Sequence, residues 1–199
     1  MTVITEIGTR RFLALASLAL RYPERDIVAK VIEASRDIEG LSELQSAAVS
    51  TLVTFFNEND SLLIESEYVR IFDNRRKACL YLSYYLNGDT RKRGVALVDF
   101  KDAFAREGFT PTDDELPDFL PTLLEFIATT ASPYGSDLLI AHKSGLEVLV
   151  MALREYQSPY AQLIEAISLL IKDKTPSRTL ALIEQGPPTE LVGLSGYGQ

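Results

Sequence analysis

The stretch Leu116-Pro117-Asp118-Phe119-Leu120-Pro121-Thr122-Leu123-Leu124-Glu125-Phe126-Ile127 carries the clearest structural signal in this chain of 199 residues. Its apolar side chains recur at intervals of three and four residues, the spacing that lines one face of an α-helix. Pro121 lacks an amide hydrogen and is tolerated only in a first helical turn, so we expect the helix to begin near Pro117 or Asp118. The stretch therefore predicts a helix that faces the core.

The same helical period extends along the chain, and no segment shows sustained alternation of apolar and polar residues. A second clear stripe runs from Tyr160 to Ile171, and a hydrophobic content of 46% suffices for one core. We predict an all-α fold, a single compact helical domain at 9–185 with about nine to ten helices, and a flexible C-terminal tail at 186–199. The predicted helices lie at about 9–21, 25–36, 42–57, 60–73, 78–87, 91–107, 117–131, 136–157, 160–173 and 177–185.

Composition excludes several classes of protein. The net charge of −8 argues against a nucleic-acid binder, which needs a broad basic face. Cys79 is the only cysteine, which excludes an internal disulfide and fits a reducing compartment, so we expect a cytoplasmic protein. The pair Arg10-Arg11 precedes the apolar run Phe12–Leu20, which is too short to span a membrane and lacks a signal cleavage site. We interpret this run as a buried first helix.

The chain offers few groups for catalysis. His142 is the only histidine, and we interpret it as a structural residue at a partly exposed helix start. Cys79 lies among apolar residues and is expected to behave as a small hydrophobe. No phosphate-binding loop, dinucleotide fingerprint or zinc-protease motif is present. The sequence therefore predicts no catalytic residue, no metal site and no cofactor.

A basic cluster stands out in this acidic chain. The segment 75–93 carries a net charge of +5, while the rest carries −13. Asn87-Gly88 is typical of a helix end, and Asp89 or Thr90 of a helix start, which places Arg91, Lys92 and Arg93 in a first turn, where the helix dipole disfavours cations. Two interpretations remain open: a solvated network neutralised by Asp89, or a site for an anion or an acidic partner segment.

Aromatic and acidic residues form two further patterns. Tyr68, Ile71 and Phe72 share one predicted helix face, and Tyr81, Tyr84 and Tyr85 follow the basic residues 75–77. Core packing and a peptide-binding groove both account for these residues, because tyrosine combines an apolar ring with a polar end. Glu115 and Asp118 are three residues apart at a predicted helix start. They indicate either helix-end electrostatics or an acid/base pair.

Several runs resemble a known family. They are Leu82-Ser83-Tyr84-Tyr85-Leu86-Asn87-Gly88-Asp89-Thr90-Arg91-Lys92-Arg93-Gly94, then Asp114-Glu115-Leu116-Pro117-Asp118-Phe119-Leu120-Pro121, then Leu124-Glu125-Phe126. Together they resemble the NarJ-type nitrate reductase assembly chaperones of the wider TorD/DmsD family of redox-enzyme maturation proteins. The segment 87–94 is specific to the nitrate reductase branch, and the resemblance covers about residues 9–188.

The resemblance implies a TorD-like, non-enzymatic cytoplasmic chaperone without a cofactor of its own. Its client would be the immature catalytic (alpha) subunit of respiratory nitrate reductase, the molybdenum-containing subunit, bound in part through its N-terminal segment. The chaperone would support molybdenum cofactor insertion before membrane docking. It would bind no nucleic acid and not insert stably in a membrane; a monomer is expected, with a dimer left open. The alternatives are a maturation chaperone for a different molybdoenzyme, or an anion- or nucleotide-binding helical protein that uses Arg91–Arg93.

The resemblance also implies where the client would bind. The implied client-peptide surface consists of Tyr22, Tyr68, Ile71, Phe72, Tyr84, Glu115, Asp118 and Phe119, and the implied basic docking element consists of Arg91, Lys92 and Arg93. One position departs from the pattern, because many relatives in the wider family carry histidine where this chain has Phe119. Acidic and aromatic residues side by side suit a partner helix that is basic at one end and apolar along one face.

Overall fold

The structure is a computed structural model that describes residues 6–111, 115–171, 179–186 and 188. These residues form α-helices with short connections, which confirms the predicted all-α fold. The helices are α1 (Ile7–Ala19), α2 (Arg25–Arg36), α3 (Glu43–Glu58), α4 (Ser61–Tyr68), α5 (Leu82–Asn87), α6 (Arg91–Arg106), α7 (Leu120–Thr130), α8 (Pro133–Ala141), α9 (Lys143–Glu155), α10 (Ala161–Ser168) and α11 (Thr179–Gln185).

The helix pair α1 and α7 forms the centre of the core. Phe12 and Leu13 of α1 are fully buried, as the interpretation of 12–20 as a buried helix requires. Ser17 Oγ donates a 2.7 Å hydrogen bond to the Pro121 carbonyl at one end of the pair. At the other end, Arg10 Nε donates to the Ala128 carbonyl at 2.9 Å. Because the last carbonyls of a helix lack intrahelical partners, this arginine both caps α7 and holds α1 against it.

The helices predicted at 117–131 and 136–157 differ from the observed ones. Helix α7 begins at Leu120 rather than near Pro117 or Asp118, with Phe119 extended before it. The helix predicted at 136–157 is two helices, because the backbone leaves the helical conformation at His142, with φ −103° and ψ 13°. His142 is buried against the Phe100 ring, with the ring centroids 5.1 Å apart, so the expectation of partial exposure is wrong.

The helix predicted at 60–73 changes type near its end. Helix α4 runs to Tyr68 and continues as a π-helical turn over Val69–Asp73, in which the Asn74 amide donates to the Val69 carbonyl at 3.1 Å. A π-turn holds one more residue than an α-turn and so changes the direction of the side chains that follow it. Phe72 and Asp73 emerge from this turn. Helix α5 then begins at Leu82, four residues later than predicted, after a short 3₁₀ turn at Arg76–Ala78.

Gly88 connects the basic segment to the C-terminal region. It ends α5 with a φ of 56°, as the sequence Asn87-Gly88 predicts. A Cβ atom at this position would lie 1.7 Å from the Pro188 carbonyl oxygen, so only glycine fits. Of the predicted tail at 186–199, the structure describes only Gly186 and Pro188. Within the described ranges, no helix has the length and apolar character needed to cross a membrane.

Candidate functional site

The candidate site is built around a short backbone pairing of two segments that each lead into a helix, Leu80–Ser83 and Asp118–Leu120, and we call this pairing the seam. The Leu82 amide donates to the Asp118 carbonyl at 3.0 Å, and the Leu120 amide donates to the Leu80 carbonyl at 2.8 Å. Tyr81 and Phe119 face each other as an antiparallel bridge, with their ring centroids 5.3 Å apart. The seam explains why α5 and α7 begin late, since its backbone groups are engaged in this pairing.

Asp118 connects the seam to α6. Its side chain is fully buried, and Oδ2 accepts hydrogen bonds from the Ser83 amide at 3.1 Å and the Ser83 hydroxyl at 2.5 Å. Arg93 Nη2 lies 3.7 Å from the same carboxylate oxygen. Among the described residues, Asp118 Oδ1 has no hydrogen-bond partner. A carboxylate held in this way is a structural connection between three segments, and a bound client would not contact it directly.

An open cleft of about 320 Å³ lies beside the seam, and we call it the aromatic cleft. Its walls come from the end of α1, the π-helical turn and the seam. It is lined by Arg21, Tyr22, Tyr68, Phe72, Asp73, Leu80, Tyr81, Glu115 and Phe119. Five of the residues that the resemblance implies, from three separate stretches of the sequence, thus share this cleft.

The floor of the aromatic cleft is a packed aromatic cluster. The ring centroids of Tyr68 and Phe72 are 4.8 Å apart, and Phe72 lies 5.1 Å from Tyr160. The Tyr68 hydroxyl donates to the Leu20 carbonyl at 2.9 Å, and burial raises the pKa of this phenol. Tyr22 lies edge-on to Tyr68 at 5.6 Å and is 42% exposed. A rigid floor with one exposed ring above it offers apolar contact at little entropic cost.

The rim of the aromatic cleft is acidic. The Tyr81 hydroxyl donates to Glu115 Oε2 at 2.6 Å, which holds this exposed carboxylate at the rim, and the Tyr22 hydroxyl donates to Glu65 Oε2 at 3.2 Å. The pKa of Asp73 is raised by desolvation and, second, by the charge of Glu115. A cation placed beside Asp73 and Glu115 would relieve this unfavourable interaction.

A second cleft of about 390 Å³ shares Phe72, Asp73 and Tyr81 with the first, and we call it the arginine cleft. Its remaining lining residues are Arg75, Arg76, Cys79, Tyr84, Asp89 and Arg93. Arg93 is the only member of the predicted basic docking element in this lining. The three residues therefore do not form one phosphate clamp at this cleft. Asp89 lies 3.5 Å from Arg93, so part of the predicted neutralising network is present.

The structure brings most of the implied client-peptide residues together but places two in the interior. Tyr22, Tyr68, Phe72, Glu115 and Phe119 line the aromatic cleft, and Tyr84 lines the arginine cleft. Ile71 and Asp118 are fully buried and line neither cleft. Ile71 lies within the π-helical turn that presents Phe72, and Asp118 lies within the seam that presents Phe119. Each of the two buried residues is therefore adjacent in sequence to a residue that lines a cleft.

Phe72, Asp73 and Tyr81 join the two clefts, and sequence reasoning missed Asp73 and left Tyr81 out of the client-peptide surface. Asp73 follows Phe72 on a predicted helix, where an α-helical geometry gives no reason to place both in one cleft. Tyr81 is recognisable in the sequence as one of several tyrosines, but its position between the clefts depends on its pairing with Phe119, which is 38 residues away. The positions of Asp73 and Tyr81 on either side of the basic residues 75–77 are the one signal that could have indicated them.

The sites that could carry chemistry are buried or isolated. Burial raises the pKa of the Cys79 thiol to about 11, so it is a poor nucleophile at neutral pH. Burial lowers the pKa of His142, whose Nδ1 lies 2.8 Å from the Leu138 carbonyl oxygen. Within the part of the chain that the structure describes, no three His, Cys, Asp or Glu side chains are grouped to hold a metal ion.

Comparisons with known proteins agree with the resemblance. The sequence profile described as nitrate reductase delta subunit matches residues 39–165. The chain is 31% identical to the NarJ protein of Bacillus subtilis, assigned as a nitrate reductase molybdenum cofactor assembly chaperone, over 78% of this chain and 85% of that protein. It is 35% identical to the nitrate reductase-like protein NarX of Mycobacterium tuberculosis over 76% of this chain, but spans only 23% of NarX.

A solved structure supports the fold. A protein from Archaeoglobus fulgidus, assigned as a redox enzyme maturation protein, superposes with a TM-score of 0.62 at 22% identity, over 82% of this chain and 94% of that one. The sequence matches establish the family, because the profile covers more than half of the chain and the Bacillus subtilis match covers most of both proteins. The chain therefore belongs to the nitrate reductase delta subunit family, the family of the NarJ-type maturation chaperones.

Proposed function

We propose that this protein is an assembly chaperone for a respiratory nitrate reductase. It binds the immature catalytic (alpha) subunit, including its N-terminal segment, and supports molybdenum cofactor insertion before that subunit docks at the membrane. It acts in the cytoplasm and catalyses no reaction. The family relationship supports the proposed class of function, and the aromatic cleft is the observation that supports the proposed binding site.

The chemistry of the aromatic cleft favours an amphipathic helical segment as its occupant. Tyr22, Phe72 and Phe119 present apolar surface, while Asp73 and Glu115 form an acidic rim. An apolar helix face would pack on the rings, and a lysine or arginine at one end would lie beside the carboxylates. Three or four buried apolar side chains contribute about 1.5–3 kcal/mol each before ordering costs, which permits submicromolar yet reversible binding.

A chaperone of this kind works through differential affinity. It must bind the immature client more tightly than the mature enzyme, because a ligand shifts an equilibrium only by its difference in affinity for the two states. A segment that is accessible before cofactor loading and sequestered afterwards would supply that difference. This mechanism requires a groove and no catalytic group.

The decisive experiment is affinity capture with the full chain from cells grown with and without molybdenum, followed by mass spectrometry. We expect the nitrate reductase catalytic subunit to be retained mainly from molybdenum-starved cells and to lack its cofactor. A Tyr22→Ala variant should retain less of it, whereas Tyr134→Ala, which alters a tyrosine of similar exposure outside both clefts, should not. Equal capture of loaded and unloaded enzyme would contradict the proposal. Capture of another molybdoenzyme would reassign the client.

A further inference from the structure

The proposed binding of an apolar, basic segment to the aromatic cleft leaves the arginine cleft without an occupant. It nevertheless shares Phe72, Asp73 and Tyr81 with the aromatic cleft, so a segment bound in one continues directly into the other. We infer that the arginine cleft is a second subsite for the same client segment, and that it binds an aspartate or glutamate side chain next to the apolar part of that segment. This inference rests on the proposed function and specifies the chemistry of its partner.

Arg93 is held in place before any ligand binds. Its Nε donates to Ser83 Oγ at 3.3 Å, and Nη2 lies 3.7 Å from the buried Asp118 carboxylate. The guanidinium also lies over the Tyr81 and Tyr84 rings, at 5.7 and 5.9 Å from their centroids. Its side chain is only 19% exposed. A guanidinium fixed in this way loses little conformational entropy when it donates hydrogen bonds to a carboxylate.

The other two arginines of the cleft are more accessible. Arg75 lies over the Tyr156 ring, with its guanidinium carbon 5.2 Å from the ring centroid. Arg76 is exposed, and the described residues provide it with no ion pair or hydrogen bond. It is therefore the side chain in the cleft that is best able to form a new ion pair. Lys77, the next residue, is also exposed but does not line the cleft.

The charge balance favours a carboxylate over a phosphate. Three arginines and the two carboxylates of Asp73 and Asp89 leave the cleft lining with one net positive charge. A carboxylate carries one negative charge, whereas a phosphomonoester carries nearly two at neutral pH and suits a more strongly basic site. The aromatic cleft has the opposite sign, since its lining combines Arg21 with Asp73 and Glu115. The two clefts together would therefore set the direction in which a charged segment binds.

The test uses two synthetic peptides and the full chain. One peptide is the N-terminal segment of the nitrate reductase catalytic subunit from the organism that encodes this chain, and the other is the same segment with every aspartate and glutamate changed to the amide. Isothermal titration of the unmodified chain should give tighter binding of the natural peptide. Arg76→Glu should weaken that peptide about tenfold, Arg76→Gln about threefold, and neither should weaken the amide peptide more than about twofold.

Lys77→Glu is the matched control, because it makes the same change in charge at the adjacent exposed residue. It should weaken either peptide by no more than about twofold. Equal effects of Arg76→Glu and Lys77→Glu, or equal losses with both peptides, would overturn the inference. So would a client segment that contains no aspartate or glutamate, or binding of inorganic phosphate that Arg76→Glu abolishes without changing the affinity of the peptide. If the unmodified chain bound neither peptide, the proposed function itself would fail.

Discussion

Glu115 and Asp118 illustrate a contrast between two neighbouring regions, the aromatic cleft and the seam. The two carboxylates are three residues apart and look equivalent in the sequence. In the structure, Glu115 is exposed at the rim of the cleft, where it accepts a hydrogen bond from Tyr81. Asp118 is fully buried, and it accepts from the amide and hydroxyl of Ser83.

The contrast separates two kinds of functional requirement. The seam organises the cleft walls, so its polar groups contribute to stability and affect binding only through position. The exposed cleft residues Tyr22 and Glu115 carry groups that a partner could contact, so substitutions there are expected to affect affinity with little effect on folding. A substitution can therefore be assigned to one region by measuring both quantities.

The largest effect is expected for Asp118→Ala. This change leaves the Ser83 hydroxyl and amide, together with Arg93, without their buried acceptor, and should lower the free energy of unfolding by about 3 kcal/mol. Urea denaturation followed by circular dichroism provides the measurement. The matched control is Glu115→Ala, which should cost less than about 0.5 kcal/mol because that side chain is exposed. Similar losses for the two variants would remove the distinction between seam and cleft.

Tyr22→Ala should have the next largest effect, this time on affinity. Tyr22 is the exposed ring above the cleft floor, and its loss should weaken binding of the client's N-terminal peptide by about 1 kcal/mol, roughly fivefold. Phe72 and Tyr68 are less suitable probes because both are at most 6% exposed and their truncation would also destabilise the fold. Titration calorimetry should show no such change for Tyr134→Ala. A loss of stability in Tyr22→Ala that matched its loss of affinity would place this residue with the seam.

Glu115→Gln tests the charge of the rim and should have a smaller effect. The amide oxygen still accepts the hydrogen bond from Tyr81, so the change removes charge with little change in shape. Peptide affinity should fall about threefold at low salt, and the difference should disappear at high salt because the interaction of exposed charges is screened. Glu58→Gln, at an exposed residue outside both clefts, is the control. A salt-independent difference would indicate a change in packing instead.

The smallest effect concerns pH. The raised pKa of Asp73 means that this group holds a proton more readily in the free protein than an ordinary aspartate does. A bound cation would expel that proton, so peptide affinity should fall as pH decreases through the pKa of Asp73. Titrations across the acidic range should show a weaker dependence in Asp73→Asn. The effect of Asp73 on the free energy of unfolding has the opposite sign. Its charged form is unfavourable in the folded protein, so protonation at lower pH makes the fold more stable.

Much of the fold follows from the sequence because it depends on local periodicity. The bounds of α1, α2, α3 and α6 agree with the predicted helices to within two residues. The break at His142 was missed because the apolar period continues across it without a proline or glycine at the break. His142, at the break, packs against Phe100, a tertiary contact that periodicity does not encode.

The candidate site was only partly predictable for a similar reason. The aromatic residues of the cleft were indicated by residue type and by the resemblance, and the structure brings Tyr22, Tyr68, Phe72 and Phe119 to one place. The burial of Asp118 could not be inferred, since an acid near a helix start is usually solvated. Its partner Ser83 is 35 residues away, and pairings between distant extended segments leave no periodic signal.

The π-helical turn at Val69–Asp73 also bears on how this groove could have arisen. A π-turn contains one residue more than an α-turn, so the insertion of a single residue into an ordinary helix can produce one. Removal of one residue before Phe72 would shift the helical register by one residue, about 100°, and change the direction in which Phe72 and Asp73 point. Alignments of relatives should therefore be examined for a one-residue gap at this position. A gap there would mark proteins that keep the fold while presenting a different surface to their partners.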